Sequence, residues 1–432
     1  MSARGPFRRM LANFALLATG KAGAGVLSLG VLLLVAPLLG PRDFGVLVLV
    51  HGYVTLVGTV VAFSGWHGVV RYGAEALERG EPDRFARLVR FVALVELGCG
   101  LAAVAVAAAL APVVGPRLGW SADTVAVAVP YSLAVLGTVR ATPGGLVQIA
   151  GRFDWLGWHN LVQPGVRLAG AAIVWSTGGG LTALLWVWFA SALAEGAAMW
   201  AWGWAAWRRL GIDRPLLGSI AGVRIENERL VSFLATTNVD LTLRHLAPRL
   251  LPLTVGWVLG PAATGVFSLA QRAGAALQVP ATLIGQASYA VMADLLATGR
   301  RAAFARSVWR ATGWAVAVAA PFVAVLALFP GRLIGWLGGD SFEGGALVLV
   351  LVAGAGAVRL GASALSSGLI ALGRPGRSAG INLVASLGLF PLLPVLLWRM
   401  GVDGAGVHAL LTAVFATAAT AWAFARAVRS SP

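Results

Sequence analysis

Residues 39–46 read LGPRDFGV, and residues 259–266 read LGPAATGV, 220 positions later. Further along, GEPDRFARLV at 80–89 returns as GRRAAFARSV at 299–308. The Gly-Arg and Asn-Leu-Val of 151–162 return with the same spacing at 373–384. Three matches in one order at nearly one offset mark an internal duplication, which sets the architecture before any single element is read. Each match also holds the same place in the run of apolar stretches. The first joins stretches 1 and 2, or 7 and 8; the second precedes 3 and 9; the third precedes 5 and 11.

Those stretches define the solvent. Of 432 residues, 58% are hydrophobic and only 12% charged, with a mean hydropathy of +0.82. A soluble domain carries about 25% charged residues. Runs of ~20 apolar residues recur along the chain, each long enough to cross ~30 Å of hydrocarbon as a helix. They are continuous and lack a period of two, which argues for helices over a barrel. Twelve spans are expected, near 12–39, 44–70, 87–112, 123–147, 157–177, 181–207, 229–258, 263–297, 307–330, 344–370, 379–398 and 404–426. The first follows Arg4, Arg8 and Arg9 and is too long for a signal-peptide core, so it reads as an uncleaved span. Pro37, Pro248, Pro252 and Pro280 are candidate kinks.

The fold expected is an all-α polytopic membrane protein with 12 transmembrane helices in two six-helix lobes. Residues 1–207 form the first lobe, 208–228 a cytoplasmic linker and 229–432 the second. Six is even, so both copies enter from the same side and the repeat is parallel; substrate sites in such proteins lie near mid-membrane between the repeats. With both termini in the cytoplasm, 22 arginines fall in cytoplasmic segments and only Arg42, Arg117, Arg332 and Arg399 in outer loops. The net charge of +16 therefore reads as topology, and no nucleic-acid partner is expected. Trp202, Trp204 and Trp207, just before Arg208 and Arg209, read as an interfacial belt.

Catalytic motifs are missing. There is no Gly-x-x-x-x-Gly-Lys-[Ser/Thr] loop, no His-Glu-x-x-His and no Gly-x-Ser-x-Gly. One cysteine, Cys99, excludes an internal disulfide, and the five histidines have no metal-ligand spacing. A transporter without cofactor or metal is expected, not an enzyme.

The repeated segments also carry a resemblance. LLGPRDFGVLVLV at 38–50, VVRYGAE at 69–75, the stretch from VLGPAATGV to LLATGRR at 258–301, and LIALGRPGRSAGINLV at 369–384 resemble polysaccharide (O-antigen type) flippases. These belong to the multidrug/oligosaccharidyl-lipid/polysaccharide exporter superfamily. The similarity covers about residues 10–425 and departs at Tyr289, where many relatives carry a proline. It implies a bacterial inner (cytoplasmic) membrane protein whose lobes surround a central cavity. It also implies alternating access that moves an undecaprenyl-pyrophosphate-linked oligosaccharide to the outer leaflet for cell-surface polysaccharide synthesis.

Ionisable residues inside spans are costly and mark function or pairing. Seven basic residues lie there: Lys21, Arg140, Arg167, Arg244, Arg249, Arg272 and Arg359. The clearest acids are Glu96, Glu195, Asp240 and Asp294. The positive excess suits an anion such as a lipid pyrophosphate. Arg272, Arg140 and Arg359 are the leading substrate contacts. Lys21, His51 and Arg272 resemble the basic residues that line the cavity of lipid II flippases. Thr237, Asp240 and Arg244 share one helical face, as do Asn160, Gln163 and Arg167, and both stripes are candidate cavity linings. Glu96 and Glu195 are candidate carriers of coupling protons, with a proton or sodium gradient as driver. Membrane lipids and the lipid-linked oligosaccharide are the expected partners. Two other readings stand beside this one. A multidrug/cation efflux antiporter would need acids to dominate the cavity. A membrane polysaccharide polymerase or ligase would need a large outer loop.

Overall fold

A glycine with a left-handed backbone followed by proline opens both copies of the first motif. Gly40 has φ +68 and Gly260 φ +86. A side chain is disfavoured in that conformation, and proline at the next position can only begin a helix. The computed structural model describes residues 6–215, 217–275, 292, 295–296 and 300–430. Arg4, Pro280, Tyr289, Asp294 and the latter half of span 8 lie outside these residues.

Among the described residues every regular element is helical. In order they are α1 (Pro6–Val61), α2 (Trp66–Glu78), α3 (Pro82–Arg117), α4 (Ala122–Tyr131) with a 3-10 turn Ser132–Thr138, and α5 (Ala141–Ile149). Then come α6 (Phe153–Ser176), α7 (Leu181–Arg209), α8 (Val223–Glu226), α9 (Leu230–Leu259) and α10 (Pro261–Ala275). After these follow α11 (Arg301–Leu328), α12 (Pro330–Gly338), α13 (Ala346–Ala371), α14 (Pro375–Leu383), α15 (Leu392–Met400) and α16 (Asp403–Ser430). Seven helices among the described residues are long and apolar enough to cross a membrane, or eight if the bent pair α14–α15 is one span. One of the seven, Ala15–Val61, is divided at Gly40. Trp314, Leu328, Trp336 and Trp398 are exposed, as lipid-facing side chains must be. The chain is an all-helical, multi-pass membrane protein.

Three expectations need adjustment. Spans 2 and 4 are not continuous: the first breaks between Val61 and Trp66, the second between Thr138 and Ala141. Pro248 and Pro252 sit within one uninterrupted helix, α9. Trp204 is exposed beneath Arg208, as a belt residue would be, but Trp207 is buried, stacked on Phe85 with its indole N–H donating to the Arg214 carbonyl.

Contacts divide the chain into two units, one of residues 1–38 and 50–250, the other of 39–49 and 251–432. In the first, Val69, Phe85, Val92, Val147, Trp207 and Leu230 form a buried core shared by α2, α3, α5, α7 and α9. Arg84, Arg87 and Arg90 recur every third residue on α3 and hold the polar linker. Arg84 donates to the Asn227 side chain (3.1 Å), Arg87 to the Glu226 carboxylate (2.9 and 2.5 Å), and Arg90 to the Pro215 and Ser219 carbonyls. In the second unit, Phe304, Val308, Leu365 and Phe424 pack α11, α13 and α16 together. The two copies of the opening motif meet there reciprocally: a Cβ on Gly45 would overlap the Pro261 carbonyl oxygen, and one on Gly265 the Pro41 carbonyl oxygen. Small residues let membrane helices approach to backbone contact.

Candidate functional site

Both helix breaks fall on one cavity of the first unit, of 510 Å³. Irregular backbone inside a membrane persists only where other groups satisfy its N–H and C=O or where it lines a cavity. Both conditions are met here. Asn238 of α9 clips the first break, accepting from the Ser64 N–H (2.7 Å) and donating to the Ser64 carbonyl (3.1 Å). The second break is held from two sides. Trp200 of α7 donates its indole N–H to the Val139 carbonyl at 2.7 Å. Glu96 of α3, fully buried, accepts from the backbone N–H groups of Ala141 (2.6 Å) and Thr142 (2.9 Å) and from the Thr142 hydroxyl (2.6 Å). A carboxylate there caps the exposed donors and positive dipole end of α5.

The wall of this cavity carries Arg140, Arg249, His67, His159, His245 and Asn238, and among the described residues no carboxylate. Arg140 begins α5 and is ion-paired with Glu195 of α7. His159 Nε2 lies 3.2 Å from the Glu195 carbonyl oxygen, so this segment of α7 holds both groups. Arg249 lies within electrostatic reach of Arg140, two guanidinium groups whose mutual repulsion an anion would relieve.

The other candidate residues of the first unit form separate groupings. His51 Nδ1 is 2.8 Å from the Tyr131 hydroxyl and its Nε2 is 3.1 Å from an Arg167 amino group. Arg167 also donates to the Ser191 hydroxyl at 3.0 Å and lies over Trp188. Asn160 bonds its own helix at the Leu156 carbonyl, and Gln163 is half-buried on the same helix. Asp240 and Arg244 pair at 2.8 Å on the exposed face of α9, as their four-residue spacing requires. Lys21 is exposed on α1. In the second unit, Arg272 is half-buried with its guanidinium 5.6 Å from the Phe44 ring, and Arg359 is exposed on α13 within electrostatic reach of His408.

Spacing in the sequence does not single out Asn238, Ser64 or the clustering of three histidines. The visible signals were Ser64-Gly65 inside an apolar run and Pro143 just after Arg140, both marks of an interrupted helix. The partner that closes each break comes from another helix, and spacing along one helix does not reveal it.

Comparison with known proteins places the chain. The model of a family described as polysaccharide biosynthesis protein matches residues 10–296. Inner membrane protein YghQ of Escherichia coli (strain K12) is 28% identical over 291 residues, which cover 66% of this chain and 81% of that protein. A multidrug resistance MATE family transporter of the MOP superfamily, solved in an inward-facing conformation, matches with a TM-score of 0.71 at 13% identity. That match covers 95% of this chain and 96% of the transporter. The lipid II flippase MurJ, in an inward closed conformation, matches with a TM-score of 0.66 at 12% identity, over 96% of this chain and 87% of the flippase. At such identities the two structural matches establish the fold.

Proposed function

The chain belongs to the polysaccharide biosynthesis protein family, and from that premise we propose that it is a flippase for lipid-linked oligosaccharide in a bacterial inner membrane. It has the fold of the MOP-superfamily transporters. The substrate is an undecaprenyl-pyrophosphate-linked oligosaccharide, carried to the outer leaflet by alternating access of the two six-helix lobes, with both termini in the cytoplasm. Transport needs no covalent chemistry by the protein.

One observation carries the substrate class: among the described residues, the cavity at the two helix breaks is lined by two arginines and three histidines and by no carboxylate. The acids nearby are committed, Glu96 to the start of α5 and Glu195 to Arg140. A pyrophosphate entering the cavity would compete with Glu195 for Arg140 and draw in Arg249. Arg272 and Arg359 remain the second-lobe candidates for phosphate contact, and the polyprenyl tail stays in lipid.

The likeness to a multidrug transporter keeps cation efflux as the rival reading. A site for organic cations needs exposed acids, and this cavity presents bases. The test is to replace Arg140, Arg272 and Arg359 singly with alanine and measure surface polysaccharide in cells at matched protein levels. At least one variant, Arg140→Ala foremost, loses most of the output. Wild-type output from all three overturns the assignment, and export of a cationic dye that survives all three favours efflux.

A further inference from the structure

Two of the helices that wall the arginine and histidine cavity continue past it into a second pocket of the first unit, of 770 Å³. On α2 the cavity ends at His67 and the pocket begins at Arg71, one helical turn or ~6 Å further along. On α9 the cavity ends at Asn238 and the pocket begins at Phe233, five residues or ~7.5 Å away. The first step runs toward the C-terminus of α2 and the second toward the N-terminus of α9, and both arrive at the same pocket. That end of the unit holds the polar linker, on the side where the arginines gather.

The pocket is polar and nearly balanced in charge, lined by four arginines and three glutamates. Arg79 and Arg84 both reach Glu75 Oε1, at 3.0 and 3.5 Å, and a carboxylate has about four acceptor positions in all. The Arg71 guanidinium lies 4.7 Å from the centre of the Phe233 ring and 5.4 Å from that of Tyr72. Such contacts hold the planar fork of donors in place. The Tyr72 hydroxyl donates to the Glu228 carbonyl at 3.1 Å. The next residue, Arg229, also lines the pocket and has φ +60; among the described residues it is the one non-glycine in the left-handed region. Backbone strain of this kind persists where surrounding contacts impose it, and it clusters at ligand sites.

The lining discriminates between classes of ligand. An organic cation would meet the arginines, a second anion would meet the glutamates, and an acyl chain would strip water from polar groups without replacing it. A neutral polyhydroxyl compound suits both signs, because each hydroxyl donates to a carboxylate and accepts from a guanidinium. We propose that the pocket holds a neutral saccharide: the sugar units joined directly to the pyrophosphate of the transported lipid. This rests on the flippase reading above and adds to it a site that recognises the glycan. Arg71 donates to sugar hydroxyls, Glu75 accepts from them, and Ser232 stands on the α9 wall beside them. The pyrophosphate occupies the neighbouring cavity about one helical turn away, as its covalent bond to the first sugar requires. A volume of 770 Å³ is in the range of about 300–1,000 Å³ usual for small-molecule sites.

The experiment is isothermal titration of the full-length protein in detergent with three probes. These are undecaprenyl pyrophosphate and the same lipid carrying one N-acetylglucosamine or one galactose. Wild type binds at least one glycosylated probe about tenfold more tightly than the bare lipid, the gain expected from a few hydrogen bonds to charged groups. Arg71→Ala and Glu75→Gln each bring that ratio close to one. Ser232→Trp, which fills the pocket from an exposed position without changing its charge, does the same. The readout is a ratio of affinities, which a general loss of folded protein would not move. Arg140→Ala, in contrast, weakens all three probes alike. A wild-type ratio near one with both sugars overturns the proposal, as does an unchanged ratio in all three pocket variants. In either case the flippase reading survives as long as the bare lipid binds. Failure of wild type to bind any of the three lipids overturns that reading and this proposal with it.

Discussion

Glu96 illustrates how one residue changes meaning once its neighbours are known. In sequence it is an acid within a span, a candidate for carrying protons. In the structure three donors at the start of α5 converge on it. Removing it strands buried donors at about 1–3 kcal/mol each. Glu96→Ala is therefore expected to lower the melting temperature in detergent sharply, and Glu96→Gln, which keeps one acceptor oxygen, to lower it less. Wild-type melting of Glu96→Ala would remove the capping role. Arg140 allows a cleaner separation of structure from transport. Arg140→Ala leaves the mostly buried Glu195 charge unpaired, a loss of about 3–5 kcal/mol for a fully buried pair and less here. The double variant Arg140→Ala with Glu195→Ala should regain protein level but not polysaccharide output. Recovery of both would make the pair structural only. Outside the spans, the Arg152 guanidinium beside Asp154 holds that carboxyl below the usual carboxylate range. The stability this pair adds is present above the ordinary carboxylate pKa of about 4 and fades only as pH falls through the lower folded value. Asp154→Asn should consequently lose stability at pH 7 but match wild type in strong acid, as read by thermal unfolding.

Among the elements, the interrupted spans are the ones that build the cavity. A continuous helix satisfies its own backbone and offers only side chains; a broken one offers main-chain groups and a helix terminus as well. Asn238 holds the Ser64 break by two hydrogen bonds in opposite directions. Asn238→Leu, similar in size but unable to make either bond, is expected to impair transport more than protein level, because the break borders the cavity. Equal loss of both would mean the clip is needed for folding alone. The paired glycines of the opening motif have a different task. Gly45→Ala or Gly265→Ala forces a methyl group onto a facing carbonyl, and overpacking costs about 1–3 kcal/mol or more where backbone must move. Either variant should reduce the amount of folded protein in the membrane.

At the level of the whole molecule, topology is the property on which the functional reading depends. If both ends are cytoplasmic, the linker around Ser219 faces inward and the turn before α4 faces outward. In a Cys99→Ala background, Ser219→Cys should react with a membrane-impermeant maleimide only after cells are permeabilised, and Asp123→Cys in intact cells. The reverse pattern would invert the protein and with it the direction of transport. The strap from Arg84, Arg87 and Arg90 to residues 215–227 is consistent with a linker that is held against its lobe and not left as a free tether.

Period and composition determined much of this protein directly. A chain so poor in charge has to be helical in a membrane, because the bilayer offers no partner for unpaired backbone groups. The duplicated LGP and Gly-Arg segments gave the turns, since a left-handed glycine is a local property that needs no tertiary partner. The four-residue spacing of Asp240 and Arg244 likewise foretold their pairing. Tertiary structure alone decided which charges are committed. Glu96 caps a helix 45 residues away in sequence, Arg140 meets Glu195 on another helix, and Asn238 closes a break 174 residues earlier. Electrostatic and hydrogen-bond energies depend on distance through space and on the water excluded between groups. A sequence orders residues along one line, so it can nominate charged candidates but cannot say which of them another helix has already neutralised.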